Sequence, residues 1–419
     1  METQIRERLQ ALPPLADCKL SVVIPAYNEE NGIAEILDRV LSIQPGLEAV
    51  GVGGPEIIVV DDGSRDRTAE IVGRYPGVRL IRHQTNHGYG AALKTGFYNA
   101  SGELLAFLDA DGTYPPEHFP ELCKAALQGG ELVIGSRMAG AQSEMPAVRR
   151  LGNFIFATLV TLVGNQRVSD SASGMRVFRR EVLERMYPLP DGLNFTPVMS
   201  TRAIHEGVKM VEVAIPYSER VGRSKLNVAG DGMRFLNSIV WTALSYNPVR
   251  ILGAAGLAGV GLAAAVVAVL AALRLSGVTS LGPWGVLSVF VGLVAGVLGV
   301  SLFNLGAMFN YLVSLFQKRP IRQGLFGKPI FARPLDRQFW WMGALSALVG
   351  ILVGGTSLAL GFSGWPVARL WLWLLGSSML ILMGMQLVIS WILMRVLEEL
   401  SQREVKIGLD MRREEPANL

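Results

Sequence analysis

The pattern of apolar and polar positions divides the chain into two halves. From Lys19 onward, short β-branched or apolar runs alternate with segments of helical periodicity. The runs LSVVIPA, EIIVVDD, VRLIRH and ELLAFLDAD are predicted strands, with helices predicted between them over residues 32–43, 66–75 and 90–100. A repeated series of strand, helix and strand predicts an α/β domain with a mostly parallel sheet.

The second half consists mainly of long apolar stretches. Four of them, uncharged except for Arg250 at the start of the first, reach the roughly 20 residues that span a hydrocarbon core, so we predict transmembrane helices over residues 249–273, 284–317, 339–362 and 370–394. Four such runs in succession would need an implausibly large core in a soluble protein. No ionisable residue lies at the centre of a span, which disfavours a proton relay or ion path.

Domain boundaries follow from this division. We expect an N-terminal extension over 1–18, the α/β domain over 19–227, four spans over 249–396 and a tail over 397–419. Glycines recur in the first three spans, for example Gly256 and Gly259. Small residues permit close helix packing within one chain or between chains, so the pattern allows a homo-oligomer without predicting one.

The loop from Lys318 to Arg337 predicts the orientation. It holds six basic residues and the single acid Asp336, and basic loops favour the cytoplasmic side. With four spans, the N-terminal domain and the tail are then expected on that side. The first residues lack the apolar core of a signal peptide, which agrees with a cytoplasmic α/β domain.

Composition supports the same division and excludes other classes. The chain has 419 residues, of which 50% are hydrophobic and 18% charged, below the roughly 25% of soluble proteins. The high apolar content excludes a disordered chain, and a disulfide-rich class is excluded because only Cys18 and Cys123 occur. The net charge of +4 comes without a long basic run in the first half, so no nucleic-acid partner is expected. The basic residues gather beside apolar segments, which favours contact with a lipid bilayer.

Polar clusters follow three predicted strands. They are Pro25 to Glu29 after the first strand, Asp61 and Asp62 after the second, and Asp109 and Asp111 after the fourth. Ligands of such sheets bind at the carboxyl ends of the strands, so these clusters are predicted to share one site.

The Asp109-Ala110-Asp111 sequence is the strongest chemical signal. Extended backbone has a period of two, so both carboxylates are expected on one side, where a divalent cation relieves their repulsion. The alternative is a pair of solvated acids on a loop. The buried strand before the pair and Gly112 after it favour Mg²⁺ or Mn²⁺ bridging a diphosphate.

Other chemistries are disfavoured. The segment from Gly88 to Thr95 resembles a phosphate loop, but Leu93 stands where that loop needs a glycine before its lysine. The four histidines lack metal-ligand spacing, and no Gly-x-Ser-x-Gly sequence occurs. Nucleotide triphosphatase, zinc hydrolase and serine esterase functions are therefore not expected.

Eight motifs in order resemble a known family. They are SVVIPAYNEE (21–30), IIVVDDGSRDRT (57–68), NHGYGAALKTG (86–96), FLDADGTYPPE (107–117), VIGSRM (133–138), RRLGN (149–153), VSDSASGMRVFRRE (168–181) and ERVGRSKL (219–226). Together they resemble family 2 glycosyltransferases of the GT-A fold. More narrowly, they are similar to the polyprenyl-phosphate branch, which includes dolichol-phosphate mannosyltransferase and bacterial undecaprenyl-phosphate glucosyltransferases.

The resemblance implies roles for individual residues. The donor, a UDP- or GDP-sugar, would be held by Pro25, Tyr27, Glu29, Asp61, Asp62, Arg220 and Lys225. The acids Asp109 and Asp111 would bind Mg²⁺ or Mn²⁺ and the diphosphate. Thr113 stands where a glutamine often completes the metal shell, and it either ligates through its hydroxyl or leaves that place to water. The polyprenyl phosphate acceptor would meet Arg137, Arg149 and Asn153.

Two apolar stripes at helical spacing support a lipid acceptor. They predict amphipathic interface helices near 147–164 and over 228–248, the first opening with Arg149 and Arg150. Because a phosphate monoester is already anionic near pH 7, it can attack the sugar without a general base. Asp170, a candidate catalytic residue, would then orient a sugar hydroxyl or an arginine.

The predicted reaction is inverting transfer of a sugar from a nucleotide-diphosphate sugar to a membrane polyprenyl phosphate. One alternative is a processive polysaccharide synthase of the same fold, but its Gln-x-x-Arg-Trp motif is absent. Another is a non-catalytic membrane scaffold, for which loss of Asp109 or Asp111 would be expected.

Overall fold

The computed structural model describes residues 18–138, 145–163, 167–218, 228–278, 280–317 and 335–413. The chain divides into two compact units, Met1–Thr242 and Ala243–Leu419.

The first unit is built on a seven-stranded sheet with the order β3-β2-β1-β4-β6-β5-β7. The strands are β1 (Cys18–Ala26), β2 (Val52–Asp61), β3 (Val78–Arg82), β4 (Leu104–Leu108), β5 (Leu132–Ser136), β6 (Met175–Arg179) and β7 (Met210–Ala214). All neighbouring pairs are parallel except the two that β6 makes, with β4 and with β5. The predicted α/β fold with a mostly parallel sheet is confirmed.

The described residues from 18 to 246 contain nine α-helices. They are α1 (Ile33–Ser42), α2 (Gln44–Ala49), α3 (Thr68–Val72), α4 (Tyr89–Asn99), α5 (Phe119–Leu127), α6 (Ala147–Val163), α7 (Arg180–Met186), α8 (Phe195–His205) and α9 (Val228–Tyr246). A short 3₁₀ turn, Pro116–His118, precedes α5.

The central strands are apolar on both faces because helices cover both. Val22 and Ile24 of β1 belong to one core cluster, whereas Val23, the residue between them, belongs to a second. All three are fully buried. Successive side chains of a strand point to opposite faces, so a near-continuous apolar run is what a doubly covered sheet requires.

The antiparallel direction of β6 decides what lies near the site. Since β6 runs against β4, its first residue, Met175, pairs with Leu108 at the end of β4. The loop that leads into β6 therefore lies beside the residues that follow β4. The sequence pattern did not predict this reversal.

The second unit is helical. A π-helical segment (Val249–Gly253) leads into α10 (Ala254–Leu275), followed by α11 (Pro283–Gln317), a 3₁₀ turn (Leu335–Gln338), α12 (Phe339–Phe362) and α13 (Val367–Arg413). Four segments here are long and apolar enough to cross a membrane: Val249–Leu273, Pro283–Val313, Leu335–Phe362 and Arg369–Leu400.

Some glycines of these helices pack closely within the chain. A Cβ on Gly256 would lie 2.6 Å from the Gly299 carbonyl oxygen, and one on Gly343 would lie 2.5 Å from that of Gly384. These contacts join α10 to α11 and α12 to α13. Small residues thus allow close backbone approach inside each helical hairpin, as membrane helices commonly do.

Candidate functional site

A cavity of about 610 Å³ opens at the carboxyl ends of the parallel strands. Nine residues singled out from the sequence line it: Pro25, Tyr27, Glu29, Asp62, Asp109, Asp111, Thr113, Arg137 and Asn153. The three predicted strand-end clusters therefore do converge on one cavity, and α6 contributes to the same wall.

The first two strand ends are bound to each other. Asn28, in the loop after β1, has a positive φ of 51°. Its side-chain oxygen accepts the Arg65 backbone N–H at 2.9 Å, and its own N–H donates to Ser64 Oγ at 2.9 Å. Asparagine tolerates this left-handed conformation better than most residues do. These bonds hold the loop after β1, which carries Tyr27 and Glu29, against the loop after β2.

Asp109 is held from two sides. The Tyr89 hydroxyl, at the start of α4, donates to Asp109 Oδ1 at 2.7 Å. On the other side lies Gly174, where an added Cβ would fall 2.2 Å from Asp109 Oδ2. Burial, and then the charge of Asp109, raise the pKa of Tyr89 well above its usual range, so the phenol keeps its proton and acts as a donor.

Asp111 is held by its own loop. The Thr113 hydroxyl donates to Asp111 Oδ1 at 2.6 Å, and the Thr113 backbone N–H donates to the same oxygen at 3.2 Å. Thr113 is almost fully buried. In this arrangement Thr113 orients the Asp111 carboxylate. This role differs from the two predicted from the sequence, in which Thr113 binds the metal or leaves that place to water.

The carboxylates of Asp109 and Asp111 are suited to a hard divalent cation whose other ligands come from the substrate and water. Within the described parts of the chain, no group of three or more His, Cys, Asp and Glu side chains is arranged to enclose a metal. Two carboxylates with one oxygen each fixed by a hydroxyl match Mg²⁺ or Mn²⁺, which bind through one or two carboxylates plus phosphate oxygens and water.

The two acids after β2 have different surroundings. Asp62 lines the cavity, whereas Asp61 is fully buried below it. Asp61 accepts the Ser64 N–H at 2.9 Å and the Arg82 Nε–H at 3.2 Å, so it holds the turn. The structure thus separates two residues that the sequence placed together.

Arg137 and Asp170 form a buried pair. Arg137 Nε and Nη2 each donate to the carboxylate of Asp170 at 2.7 Å, and the Arg137 backbone N–H adds a third bond at 3.0 Å. The guanidinium lies 5.7 Å from the ring centre of Tyr114 and 5.4 Å from that of Tyr217. Its geometry is fixed by both the carboxylate and the aromatic rings.

Each member of this pair stabilises the charged form of the other. Burial alone would raise the pKa of Asp170, but the attraction and hydrogen bonds of Arg137 outweigh it and hold that pKa below its usual value. Burial likewise opposes the charge of Arg137, and Asp170 more than compensates, so the pKa of Arg137 is raised. Asp170 is fully buried, and both of its oxygens are engaged by Arg137.

Asn153 lies on α6 at the cavity wall. Its Nδ2 donates to the Ser169 carbonyl at 3.1 Å, while its Oδ1 is buried without a hydrogen-bond partner. The side chain is 5% exposed. A polar atom left unpaired at a cavity wall is available to a ligand.

One wall of the cavity is apolar. It includes Val148 and Phe156 of α6, Leu193, and Phe235 of α9. Val148 is itself 63% exposed, and the adjoining apolar face of α6 carries Leu151 and Phe154, each 61% exposed. An exposed apolar face on an amphipathic helix is typical of a lipid-facing surface.

Several site residues were not found from the sequence. Tyr89 and Tyr114 lie inside two of the quoted motifs and Tyr217 lies outside them. None was predicted as a site residue, because their contacts are with residues distant in the chain. Arg234 also lines the cavity; its side chain is 79% exposed and pairs with Asp231 at 3.1 Å. Its position within the second predicted interface helix, 228–248, was the available signal.

Arg176 lies fully buried under the site. It donates to the carbonyls of Ser171 and Ser173, and its Nη1 has no partner. Burial lowers its pKa to about 10. These bonds shape the loop before β6, which carries Asp170 and Gly174.

Three predicted residues are not placed. Arg220 and Lys225 lie outside the described residues, as does the side chain of Arg149. Their assignments stay predictions.

The chain matches known proteins in both halves. The family profile "Glycosyl transferase family 2" matches residues 21–187, and a domain of unknown function matches residues 248–408. The dolichyl-phosphate hexose transferase of Haloferax volcanii is 33% identical over 225 residues, which cover 54% of this chain and 94% of that protein.

Other relatives extend further along the chain. The undecaprenyl-phosphate 4-deoxy-4-formamido-L-arabinose transferase of Edwardsiella ictaluri is 31% identical over 309 residues, covering 70% of this chain and 90% of that protein. Among solved structures, glucosyl-3-phosphoglycerate synthase from Mycobacterium tuberculosis, in complex with Mn²⁺, UDP and phosphoglyceric acid, aligns at 23% identity with a TM-score of 0.45, covering 57% of this chain and 82% of that one.

Proposed function

Because the chain belongs to glycosyl transferase family 2, we propose that it transfers a sugar, with inversion, from a nucleotide-diphosphate sugar to a membrane polyprenyl phosphate. The observation that carries this proposal is a single cavity that joins acidic strand ends to an apolar wall next to an exposed apolar helix face. A nucleotide donor suits the first part, and a lipid phosphate suits the second.

The donor half of the reaction rests on the acids. Asp109 and Asp111 would hold Mg²⁺ or Mn²⁺, which supplies neutralisation of the negative charge on the leaving diphosphate. Tyr89 and Thr113 orient these carboxylates through the hydrogen bonds described above. In this proposal Asp62 accepts an N–H of the nucleobase, beside Pro25, Tyr27 and Glu29, and Asp61 supports their loop. Arg220 and Lys225 would clamp the diphosphate.

The acceptor half rests on arginines and the apolar wall. Arg137, Arg149 and Asn153, together with Arg234, would surround the lipid phosphate, while Phe156 and Phe235 contact the first isoprene units. The described cavity lining contains no histidine. This supports direct attack by an anionic phosphate oxygen on the sugar carbon, without a general base. We assign Asp170 the role of positioning Arg137.

Orientation is part of the proposal. The basic residues between Lys318 and Arg337 support a cytoplasmic position for the catalytic unit and the C-terminus. The bacterial inner membrane is the location we propose.

A product assay tests the reaction. Purified full-length protein in nanodiscs is incubated with UDP- and GDP-sugars, polyprenyl phosphate and Mn²⁺, and lipid products are identified by mass spectrometry. We expect one sugar per lipid and no product with Asp111→Asn. A growing glycan would support the processive synthase instead, and no product from any donor would support the scaffold.

Matched variants test the acceptor site. Losing one charge-assisted contact costs roughly 1.5–3 kcal/mol, or about ten- to a hundredfold in affinity. We expect Arg149→Ala to raise the KM for polyprenyl phosphate by about this factor while nucleotide affinity stays unchanged. Arg150→Ala, at the neighbouring arginine, is the control. Weaker nucleotide binding with unchanged lipid dependence would contradict the assignment.

A further inference from the structure

A chain of hydrogen bonds reaches the cavity from a histidine outside the predicted site. His83 follows β3 directly, and its side chain is 14% exposed. Its Nδ1 lies 2.7 Å from Asp62 Oδ1, and its Nε2 lies 2.9 Å from Thr95 Oγ1 on α4. Of these three side chains, that of Asp62 reaches the cavity wall. The histidine therefore connects the end of β2 to a helix through the carboxylate.

The hydrogen-bond network assigns the imidazole tautomer. An ionised carboxylate can only accept, so the proton between His83 and Asp62 belongs to Nδ1. In the neutral ring, Nε2 then accepts the Thr95 hydroxyl proton. A ring fixed at both nitrogens holds its plane, and it fixes the plane of the carboxylate that it contacts.

The other hydrogen bonds of Asp62 restrict the orientation of its carboxylate. Oδ1 also accepts the His87 backbone N–H at 2.9 Å, and Oδ2 accepts that of Gly88 at 2.8 Å. A carboxylate offers about four acceptor positions, and three are occupied here. The one that remains, on Oδ2, matches a single ring N–H of a nucleobase, such as that of uracil.

We propose that His83 is a positioning residue for nucleotide recognition: it turns the Asp62 carboxylate so that its last acceptor position faces the nucleobase of the donor, and Thr95 holds the imidazole in place. This inference rests on the proposed function, in which Asp62 binds the base. His83 contacts no substrate itself.

Calorimetry on the full-length protein tests this role. UDP and GDP are titrated in the presence of Mn²⁺, and the nucleotide that binds more tightly is used for the variants. We expect His83→Ala to raise its Kd by about tenfold, which corresponds to about 1.4 kcal/mol. The KM for polyprenyl phosphate should not change. His118→Ala is the control, because His118 contacts Glu121 and lies outside the cavity lining.

Conservative variants separate a positioning role of His83 from a purely structural role. Asparagine at position 83 places an N–H near the site of Nδ1, whereas glutamine places one near Nε2. His83→Asn should therefore recover most of the affinity and His83→Gln should not. Equal affinities for these two variants would overturn the proposal, and the comparison remains decisive if His83→Ala fails to fold.

Asp62→Ala distinguishes the two levels of inference. If it weakens nucleotide binding while His83→Ala does not, the positioning role is wrong and the proposed function stands. If Asp62→Ala leaves nucleotide affinity unchanged, the assignment of Asp62 to the base is wrong, and the role of His83 falls with it.

Discussion

Replacing Gly174 by alanine tests how the acid pair is held. In the structure, a Cβ at this position would lie 2.2 Å from Asp109 Oδ2, 2.6 Å from Cγ and 2.7 Å from Oδ1. An ordinary carbon to oxygen contact is about 3.3 Å, so the carboxylate or the loop must shift by about 1 Å. The carboxylate cannot simply rotate away, since Tyr89 already binds Oδ1 at 2.7 Å.

The expected loss follows from the size of that shift. A misplacement of about 1 Å at a reacting centre costs on the order of a hundredfold in rate, or about 2.7 kcal/mol. Steady-state assays with the nucleotide sugar at varied Mn²⁺ should show a lower kcat/KM and a higher requirement for metal. Thermal unfolding should be little changed.

A second glycine provides the control. A Cβ on Gly53 would meet Cys18 O at 3.7 Å, which is an ordinary contact, so Gly53→Ala should behave like the wild type. If Gly174→Ala kept the turnover and metal dependence of Gly53→Ala, the loop before β6 would not constrain Asp109, and the steric reasoning would be wrong.

Three further outcomes are expected. Asp109→Asn or Asp111→Asn should abolish transfer without unfolding the protein, and EDTA should do the same to the wild type; full activity in EDTA would remove the metal assignment. Asp170→Asn should destabilise the catalytic unit by about 3–5 kcal/mol in chemical denaturation, because the buried Arg137 would lose its carboxylate. Since the pKa of Asp170 is lowered from its ordinary value of 3.8, the pair stabilises the fold above that pH. This contribution should disappear as the pH falls through the lowered pKa, and the variant should lack that acid-dependent loss. A reporter fused after Leu419 should read as cytoplasmic, and a periplasmic signal would contradict the orientation.

The sequence by itself determined the fold class and placed the candidate site at the strand ends, where the cavity lies. Alternating apolar runs define strands, and the residues that follow each run must lie at the carboxyl edge of a parallel sheet. Asp62, Asp109 and Asp111 could be placed there because strand direction and a period of two are local properties. The spans were equally readable, since about 20 consecutive apolar residues have few other stable environments.

The tertiary structure alone decided which side chains hold the acids. The antiparallel entry of β6 brings Gly174 against Asp109, and the packing of α4 brings Tyr89 to the same carboxylate. His83 meets Asp62 across 21 residues, and Arg137 meets Asp170 across 33. Local periodicity indicates which face of a strand or helix a residue occupies. It does not indicate which distant loop packs against that residue. Those contacts depend on strand order and on close packing between segments that are distant in the chain, because hydrogen bonds require partners within about 3 Å.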